Sequence, residues 1–166
     1  MECPHCEGTM RAQVTTPGRP YRYVTSGLPH VLLSGITLWT CTDCGKTMTE
    51  IPRLGELHRV IAAALVAKPT LLTGREVLFL RKHSGFPAGE FAALLGVDRT
   101  HLSRVENGRL ESFGETSDRL VRAVTSIAAG NVATRDALLA LSGRLRKAKA
   151  RRQLFALSAN HWKQAV

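Results

Sequence analysis

Four cysteines stand in two C-x-x-C pairs near the amino end of the chain. The first pair is Cys3 and Cys6, and the second is Cys41 and Cys44, followed by Gly45, which suits the left-handed turn of a metal knuckle. One tight turn can present both sulfurs of such a pair to a single ion, and two turns complete a tetrahedron. Four thiolates leave no position for water around the ion. The spacing therefore predicts one structural Zn²⁺ bound by these four residues.

Two other chemistries use the same residue types. Iron in a rubredoxin-like site takes the same four ligands, and the sequence does not distinguish it from zinc. Redox C-x-x-C motifs need a thioredoxin-like βαβ setting, and no such pattern surrounds either pair. All four cysteines precede residue 45. Their pairing favours metal binding over disulfides in a reducing compartment.

A second group of candidate residues lies on a predicted short helix from Arg99 to Glu106. Asp98 can cap this helix, and Gly108 follows its end. Helical periodicity places Leu102 and Val105 inward and polar side chains on the opposite side. A helix with cations and small polar groups outward can enter the major groove of DNA. The predicted DNA-contacting residues are Arg99, Thr100, Ser103, Arg104, Asn107 and Arg109.

Two predicted helices must position this one. Thr73 and Glu76 have the spacing of a capping box, and a helix is expected to run from there to about Lys82. A second short helix is predicted over residues 90–95, and Gly96 stops it because glycine tolerates a left-handed turn. Two short helices separated by a glycine turn project the second one outward. This is the arrangement of a helix-turn-helix.

Composition and charge narrow the function classes. The chain has 166 residues, 44% of them hydrophobic, which is enough for one moderate core or two small ones. A formal net charge of +10 favours a polyanionic partner.

No leader opens the chain, and the longest apolar run, Val60 to Ala67, is too short for a bilayer, so a cytoplasmic protein without membrane contact is expected. No grouping of nucleophile and base suggests an enzyme.

The region from Leu78 to Val124 resembles the Xre/Cro-type helix-turn-helix of phage repressors and bacterial regulators. The residues that carry this resemblance are Leu80-Arg81-Lys82, Gly85, Phe91-Ala92, Leu95-Gly96-Val97 and residues 102–108, Leu-Ser-Arg-Val-Glu-Asn-Gly. With the two cysteine pairs, Glu50-Ile51-Pro52 and a linker helix, the chain resembles the MqsA antitoxin family, which has a YgiT-type zinc finger. The resemblance covers most of residues 1–129.

This resemblance implies that the two domains have separate functions. In that family the zinc module binds and neutralises a partner toxin, and the second domain dimerises and represses its own operon at a palindromic operator. The four cysteines match the family's zinc ligands, and Thr100 and Arg104 fall where the family places its base-reading side chains. A homodimer on double-stranded operator DNA is expected. A toxin-neutralising protein, or a stand-alone regulator without a toxin, remains the alternative.

The motif also departs from its family. Pro87 and Ala88 stand where Ser-Gln is common, so the phosphate contact of that glutamine is expected to be missing. Glu106 is expected to hold the fold, since a carboxylate facing phosphates repels them. The cations that could contact the DNA backbone instead are Arg81, Lys82, His83 and Arg109.

The predicted fold class is α+β, with β-prone stretches at Tyr21 to Thr25 and Gly35 to Thr40. A small β-rich, zinc-ribbon-like module at 1–50 is joined by a linker helix at 51–70 to an all-α helix-turn-helix domain at 71–129. A basic helical extension follows at 130–166, with a run of cations from Arg144 to Arg152. This run could be a solvated helix face, an arm that contacts phosphates, or a helix that binds a partner.

Overall fold

A computed structural model describes residues 1–130 and 152–165 and has a mixed α+β architecture. This part of the chain contains five α-helices and two β-sheets, as the α+β prediction requires. It divides into two compact units. The first comprises Met1–Val24, Pro29–Val60 and residues 152–165, and the second comprises Thr25–Leu28 and the chain from Ile61 onward to the end of the helices.

The first sheet lies next to the cysteines. It has three antiparallel strands in the order β1 (Met10–Val14), β4 (Thr37–Cys41) and β5 (Thr47–Glu50). The sequence prediction placed a β-prone stretch over β4 but did not place β1 or β5. β5 has four residues and is mostly polar. β1 does alternate apolar and polar residues, but it is only five residues long and all its side chains except that of Met10 are exposed, so both strands give a weak signal.

The second sheet joins distant parts of the chain. Its order is β2 (Tyr21–Arg22), β3 (Val31–Ser34), β6 (Gln153–Ser158) and β7 (His161–Ala165). β3 pairs with β2 antiparallel and with β6 parallel, and β6 pairs with β7 antiparallel. Fully buried apolar side chains form its core, among them Val31, Leu33 and Phe155.

The prediction of a helical C-terminal extension is wrong for residues 153–165, which form the hairpin of β6 and β7. Ala159 and Asn160 both have positive φ at its two-residue turn, which matches the twist of an antiparallel pair. Trp162 is only 4% exposed. Burial of alternate residues against the sheet overrides the helical propensity of this segment. Residues 131–151, with most of the basic run, lie outside the described residues.

The predicted linker helix is present as α1 (Leu54–Ala67). Leu57, Ile61 and Leu65 are fully buried at helical spacing, as the sequence predicts, whereas Leu54 is exposed. Within the described ranges, no helix combines the length and the apolar character that crossing a bilayer requires.

Three helices of the second unit follow the predicted caps. α2 (Gly74–His83) begins with the Thr73–Glu76 capping box, α3 (Ala88–Leu94) ends before Gly96, and α4 (Arg99–Glu106) begins at Asp98. The φ of Gly96 is +64°, the left-handed conformation that glycine adopts without strain. α4 contacts both α2 and α3.

The last helix, α5 (Glu115–Ala128), has a polar buried side. Helical periodicity in the sequence predicts Leu120, Val121, Val124 and Ile127 on that side. Val121 is fully buried, but Leu120 and Ile127 are exposed. Arg122 is fully buried instead, and its guanidinium donates to the Asp118 carboxylate at 2.6 Å. It also donates to backbone carbonyls at and beyond the end of α1, those of Leu65, Val66, Lys68 and Thr70. These bonds satisfy carbonyls that have no partner within a helix.

Candidate functional site

The four cysteines converge at one end of the first sheet. Their sulfur atoms all lie within 4.8 Å of one another. Cys3 and Cys41 are buried beside Met10, and Trp39 packs against them. Cys6 and Cys44 are exposed. All four thiols are free, so the cluster is not a pair of disulfides.

The sulfur spacing fits a tetrahedral metal ion. Zinc–sulfur bonds of about 2.3 Å place the corners of a tetrahedron about 3.8 Å apart. The Sγ of Cys3 lies 3.7 Å from that of Cys44, and the Sγ of Cys6 lies 3.5 Å from that of Cys41. The four residues predicted to be ligands can therefore bind one metal ion together.

Backbone geometry builds the two turns that present the sulfurs. Gly45 has a φ of +69°, as expected for the residue after the second pair, and Glu7 takes a similar conformation after the first. Thr42 bridges the turns, because both its amide and its hydroxyl donate to the carbonyl of Thr9. Gly8 lies against the carboxylate of Asp43, where a Cβ would overlap it. The C-x-x-C spacing alone did not reveal these contacts.

Two of the thiols have displaced pKa values. Hydrogen bonds from the backbone amides of Cys44 and Asp43 lower the pKa of Cys41 to about 7. The backbone amide of Gly8 also lowers the pKa of Cys6, but the thiols of Cys44 and Cys41 together with burial raise it to about 12. A thiolate is the form that binds metal. The lowered pKa of Cys41 favours its thiolate, whereas the raised pKa of Cys6 favours its thiol, whose proton would leave to solvent when a metal ion binds.

The predicted DNA-contacting residues share one exposed face. Leu102 and Val105 on α4 are fully buried, and this orients the helix as the periodicity predicted. The exposed residues on its other side and just beyond its end are Arg99, Thr100, Ser103, Arg104, Asn107 and Arg109. Their exposure leaves this face able to contact another molecule.

Two of these residues form a preorganised pair. The side-chain amide of Asn107 donates to the carbonyl oxygen of Ser103 at 2.8 Å and to its hydroxyl at 3.2 Å. The bond to the carbonyl closes the C-terminal end of α4. It also orients the Asn107 amide group, and the Ser103 hydroxyl still has its own proton to donate.

A buried ion pair fixes α4 on α2. Arg81 donates from Nε and Nη2 to the two carboxylate oxygens of Glu106, at 2.6 and 2.9 Å, and from Nη1 to the carbonyl of Phe86. The expectation that Glu106 holds the fold is thus confirmed. Arg81 was one of four cations that could contact the DNA backbone, but its guanidinium is taken up by this pair and its side chain is only 11% exposed.

One face of the first sheet is apolar and only partly covered. The register places Ala12, Trp39 and Met48 in a row across its three strands, and Val14 lies on the same face. Val14 is 60% exposed and Met48 is 41% exposed. This row begins beside the cysteine cluster, against which Trp39 packs.

Comparisons with protein-family models, with curated proteins and with solved structures find no match to this chain. The residues themselves must therefore carry any statement about function.

Proposed function

We propose that this protein is a sequence-specific DNA-binding repressor that binds one structural zinc ion. In this proposal α3, the turn at Gly96 and α4 are a helix-turn-helix, and the four-cysteine unit is a zinc-ribbon-like module. Two copies bind a palindromic operator, with their α4 helices about one helical turn apart in successive major grooves. The resemblance to the MqsA antitoxin family favours an operator upstream of the protein's own gene.

One observation carries the proposal: the exposed polar face of α4. A helix that reads bases needs cations and hydrogen-bonding groups outward on a rigid support. Arg99 and Arg104 provide the guanidinium groups, and the Arg81–Glu106 pair provides the support. Arg104 can donate two hydrogen bonds to O6 and N7 of a guanine, worth about 1–3 kcal/mol of discrimination against other bases.

Binding to the upstream DNA tests this proposal. Fluorescence anisotropy would compare a duplex from upstream of the gene with a random duplex of equal length. Arg104→Ala is expected to weaken binding to the upstream duplex by about tenfold or more and to affect the random duplex far less. Arg75→Ala is the matched control, since it removes one exposed positive charge from the start of α2. Equal effects of the two variants on both duplexes would contradict base reading.

Native mass spectrometry and metal analysis test the zinc assignment. One Zn²⁺ per chain is expected, and a chelator is expected to lower the melting temperature because bound metal stabilises only the folded state. The Cys3→Ser variant should lose the ion, whereas Thr16→Ser, at a position outside the cluster, should keep it. Iron in place of zinc would preserve the site and change only the metal. A native protein without any metal would refute the assignment.

The apolar face of the first sheet supports a second function, the binding of a partner protein such as a toxin. An exposed apolar row beside a rigid metal site is a surface that a partner could cover. The protein encoded next to this one would be coexpressed with it and tested for complex formation by size exclusion. Val14→Asp is expected to abolish the complex, and Val24→Asp, at another exposed valine, is expected to preserve it. Loss of the complex in both variants, or in neither, would argue against this face.

A further inference from the structure

The C-terminal hairpin of β6 and β7 contacts the chain on both sides of the open end of the hairpin formed by β4 and β5. The β4–β5 hairpin bears Cys41 and Cys44 at its turn. Gly35 precedes β4, and it lies so close to the carbonyl oxygen of Leu157 that a Cβ there would be 2.6 Å from that atom. At the same open end, β5 leads to Pro52, whose carbonyl accepts a hydrogen bond from the indole Nε1 of Trp162 at 2.9 Å.

Buried hydrogen bonds connect the contact between Gly35 and Leu157 to β1, the strand that pairs with β4 in the first sheet. The amide of Gly35 donates to the carbonyl of Thr15, and the amide of Thr15 donates to the carbonyl of Ile36, both at 2.9 Å. The amide of Ile36 donates in turn to the Thr15 hydroxyl. Thr15 follows directly after β1, whose first residue, Met10, packs beside Cys3 and Cys41. Hydrogen bonds therefore fix the start of β4 to the end of β1.

Polar contacts reinforce the second connection. Arg53 donates from Nη1 to the carbonyl of Asn160, at the turn of the C-terminal hairpin, and its Nε pairs with Glu56 at 2.7 Å. The other carboxylate oxygen of Glu56 lies 3.2 Å from Nδ1 of His161. Each of these exposed contacts is weak alone, but together they hold the hairpin turn on the segment that follows β5.

We propose that the C-terminal hairpin positions the β4–β5 hairpin for metal binding, so that metal binding and docking of the C-terminal hairpin stabilise each other. This inference rests on the metal site of the proposed function. The β4–β5 hairpin carries two of the four sulfurs, and metal binding requires them at a fixed spacing. Contacts that fix both strands at the open end of this hairpin reduce the conformational entropy that the hairpin loses when the ion binds. Because coupling between two events is reciprocal, loss of the ion weakens the docking of the hairpin. Trp162 acts here as a positioning residue.

Hydrogen exchange on the full-length protein tests the first half of this proposal. Zinc-loaded and chelator-stripped samples would be compared at the same pH. Amides of residues 153–165 are expected to exchange about fivefold or more faster without the metal. Peptides from α5, in the other unit, serve as the internal control and should change much less. Equal protection of 153–165 in the two samples would overturn the coupling.

Metal affinity tests the reverse direction. Co²⁺ is a suitable probe, because tetrahedral thiolate coordination gives it a distinctive absorption spectrum, and Zn²⁺ can then displace it. Trp162→Phe keeps an aromatic side chain and removes the hydrogen bond to Pro52, so it is expected to lower the affinity for Co²⁺ about fivefold. Lys163→Ala, at an exposed position of the same strand, is the matched control and should leave the affinity unchanged.

The two proposals fail in different ways. A protein that binds one zinc per chain but shows the same affinity in Trp162→Phe as in the control loses only the positioning role of the hairpin. A protein that binds neither Co²⁺ nor Zn²⁺ loses the metal site and the coupling together. If Trp162→Phe unfolds, Arg53→Ala removes a more exposed anchor of the hairpin and is expected to lower the affinity in the same direction.

Discussion

At the scale of single residues, both candidate sites contain groups that are held in place by their neighbours. Arg104 is exposed, but the helix that carries it is fixed by the fully buried side chains of Leu102 and Val105. The thiolate of Cys41 is favoured because backbone amides stabilise it. In both cases, the sequence identified the reactive group, and the structure supplies the contacts that prepare it.

The cap of α4 gives a residue-scale prediction with a defined pH dependence. Hydrogen bonds from the backbone and side chain of Thr100 lower the pKa of Asp98 below its usual value of 3.8. A carboxyl with a lowered pKa in the folded state stabilises the protein above its unfolded pKa, and this contribution is lost as the pH falls through the folded pKa. Asp98→Ala should therefore lower the melting temperature at pH 7.

The same variant should have a smaller effect at a pH below the folded pKa of Asp98, where the native carboxyl is protonated and caps the helix only as a neutral acceptor. Asp98→Asn keeps an acceptor oxygen for the Thr100 amide and should lose less stability at pH 7. Thermal unfolding followed by circular dichroism at both pH values would measure this. A pH-independent difference between Asp98→Ala and the native protein would contradict the role of the charge.

At the scale of elements, close approach between α2 and α4 explains how the exposed face is aligned. Gly74, the first residue of α2, lies against the backbone carbonyl of Val105, and a Cβ at Gly74 would overlap this oxygen. Gly74→Ala should therefore push the two helices apart and destabilise the second unit by about 1–3 kcal/mol. Gly89→Ala, on α3 with open space around the new methyl group, is the matched control and should be tolerated. Chemical denaturation measures both effects.

The Arg81–Glu106 pair gives a second prediction at this scale. Glu106→Ala leaves the Arg81 guanidinium buried without its carboxylate partner, which destabilises by about 3–5 kcal/mol when the charge cannot reach water. Replacing both residues together, Arg81→Met with Glu106→Leu, should restore much of this stability. A double variant no more stable than Glu106→Ala would show that the pair acts through something other than the unpaired charge.

Elements with strong local signals were the ones that the sequence predicted well. Thr73 and Asp98 marked the starts of α2 and α4, because a side-chain cap is a local interaction. Gly45 and Gly96 marked turns for the same reason. The grouping of the four cysteines and the exposed face of α4 followed directly from spacing and periodicity.

The elements that were missed depend on distant partners. β6 pairs in parallel with β3, which lies more than a hundred positions earlier in the chain. No local sequence pattern predicts this pairing. The buried face of α5 was also missed, since the burial of Arg122 is possible only because carbonyls near the end of α1 accept its hydrogen bonds. Tertiary contacts override the apolar periodicity in both places.

At the scale of the whole molecule, the charge of +10 predicts a strong salt dependence for the proposed binding to DNA. Each phosphate that a Lys or Arg neutralises releases a counterion, so the logarithm of affinity should fall linearly with the logarithm of salt concentration. Binding to random duplex DNA should show a steep slope. Arg109→Ala should reduce this slope by about one unit if Arg109 contacts a phosphate, whereas Arg104→Ala should change it less on random DNA.

Methylation protection of the upstream DNA tests directly whether Arg104 on α4 contacts a guanine base. Dimethyl sulfate attacks guanine N7 in the major groove, which is the atom that the Arg104 guanidinium is proposed to contact. If Arg104 makes this contact, the protein should protect one guanine in each half-site. Arg104→Ala should lose this protection, and Arg75→Ala should keep it. Upstream DNA whose guanines react equally with and without the protein, or protection that survives in Arg104→Ala, would contradict the reading of bases by α4.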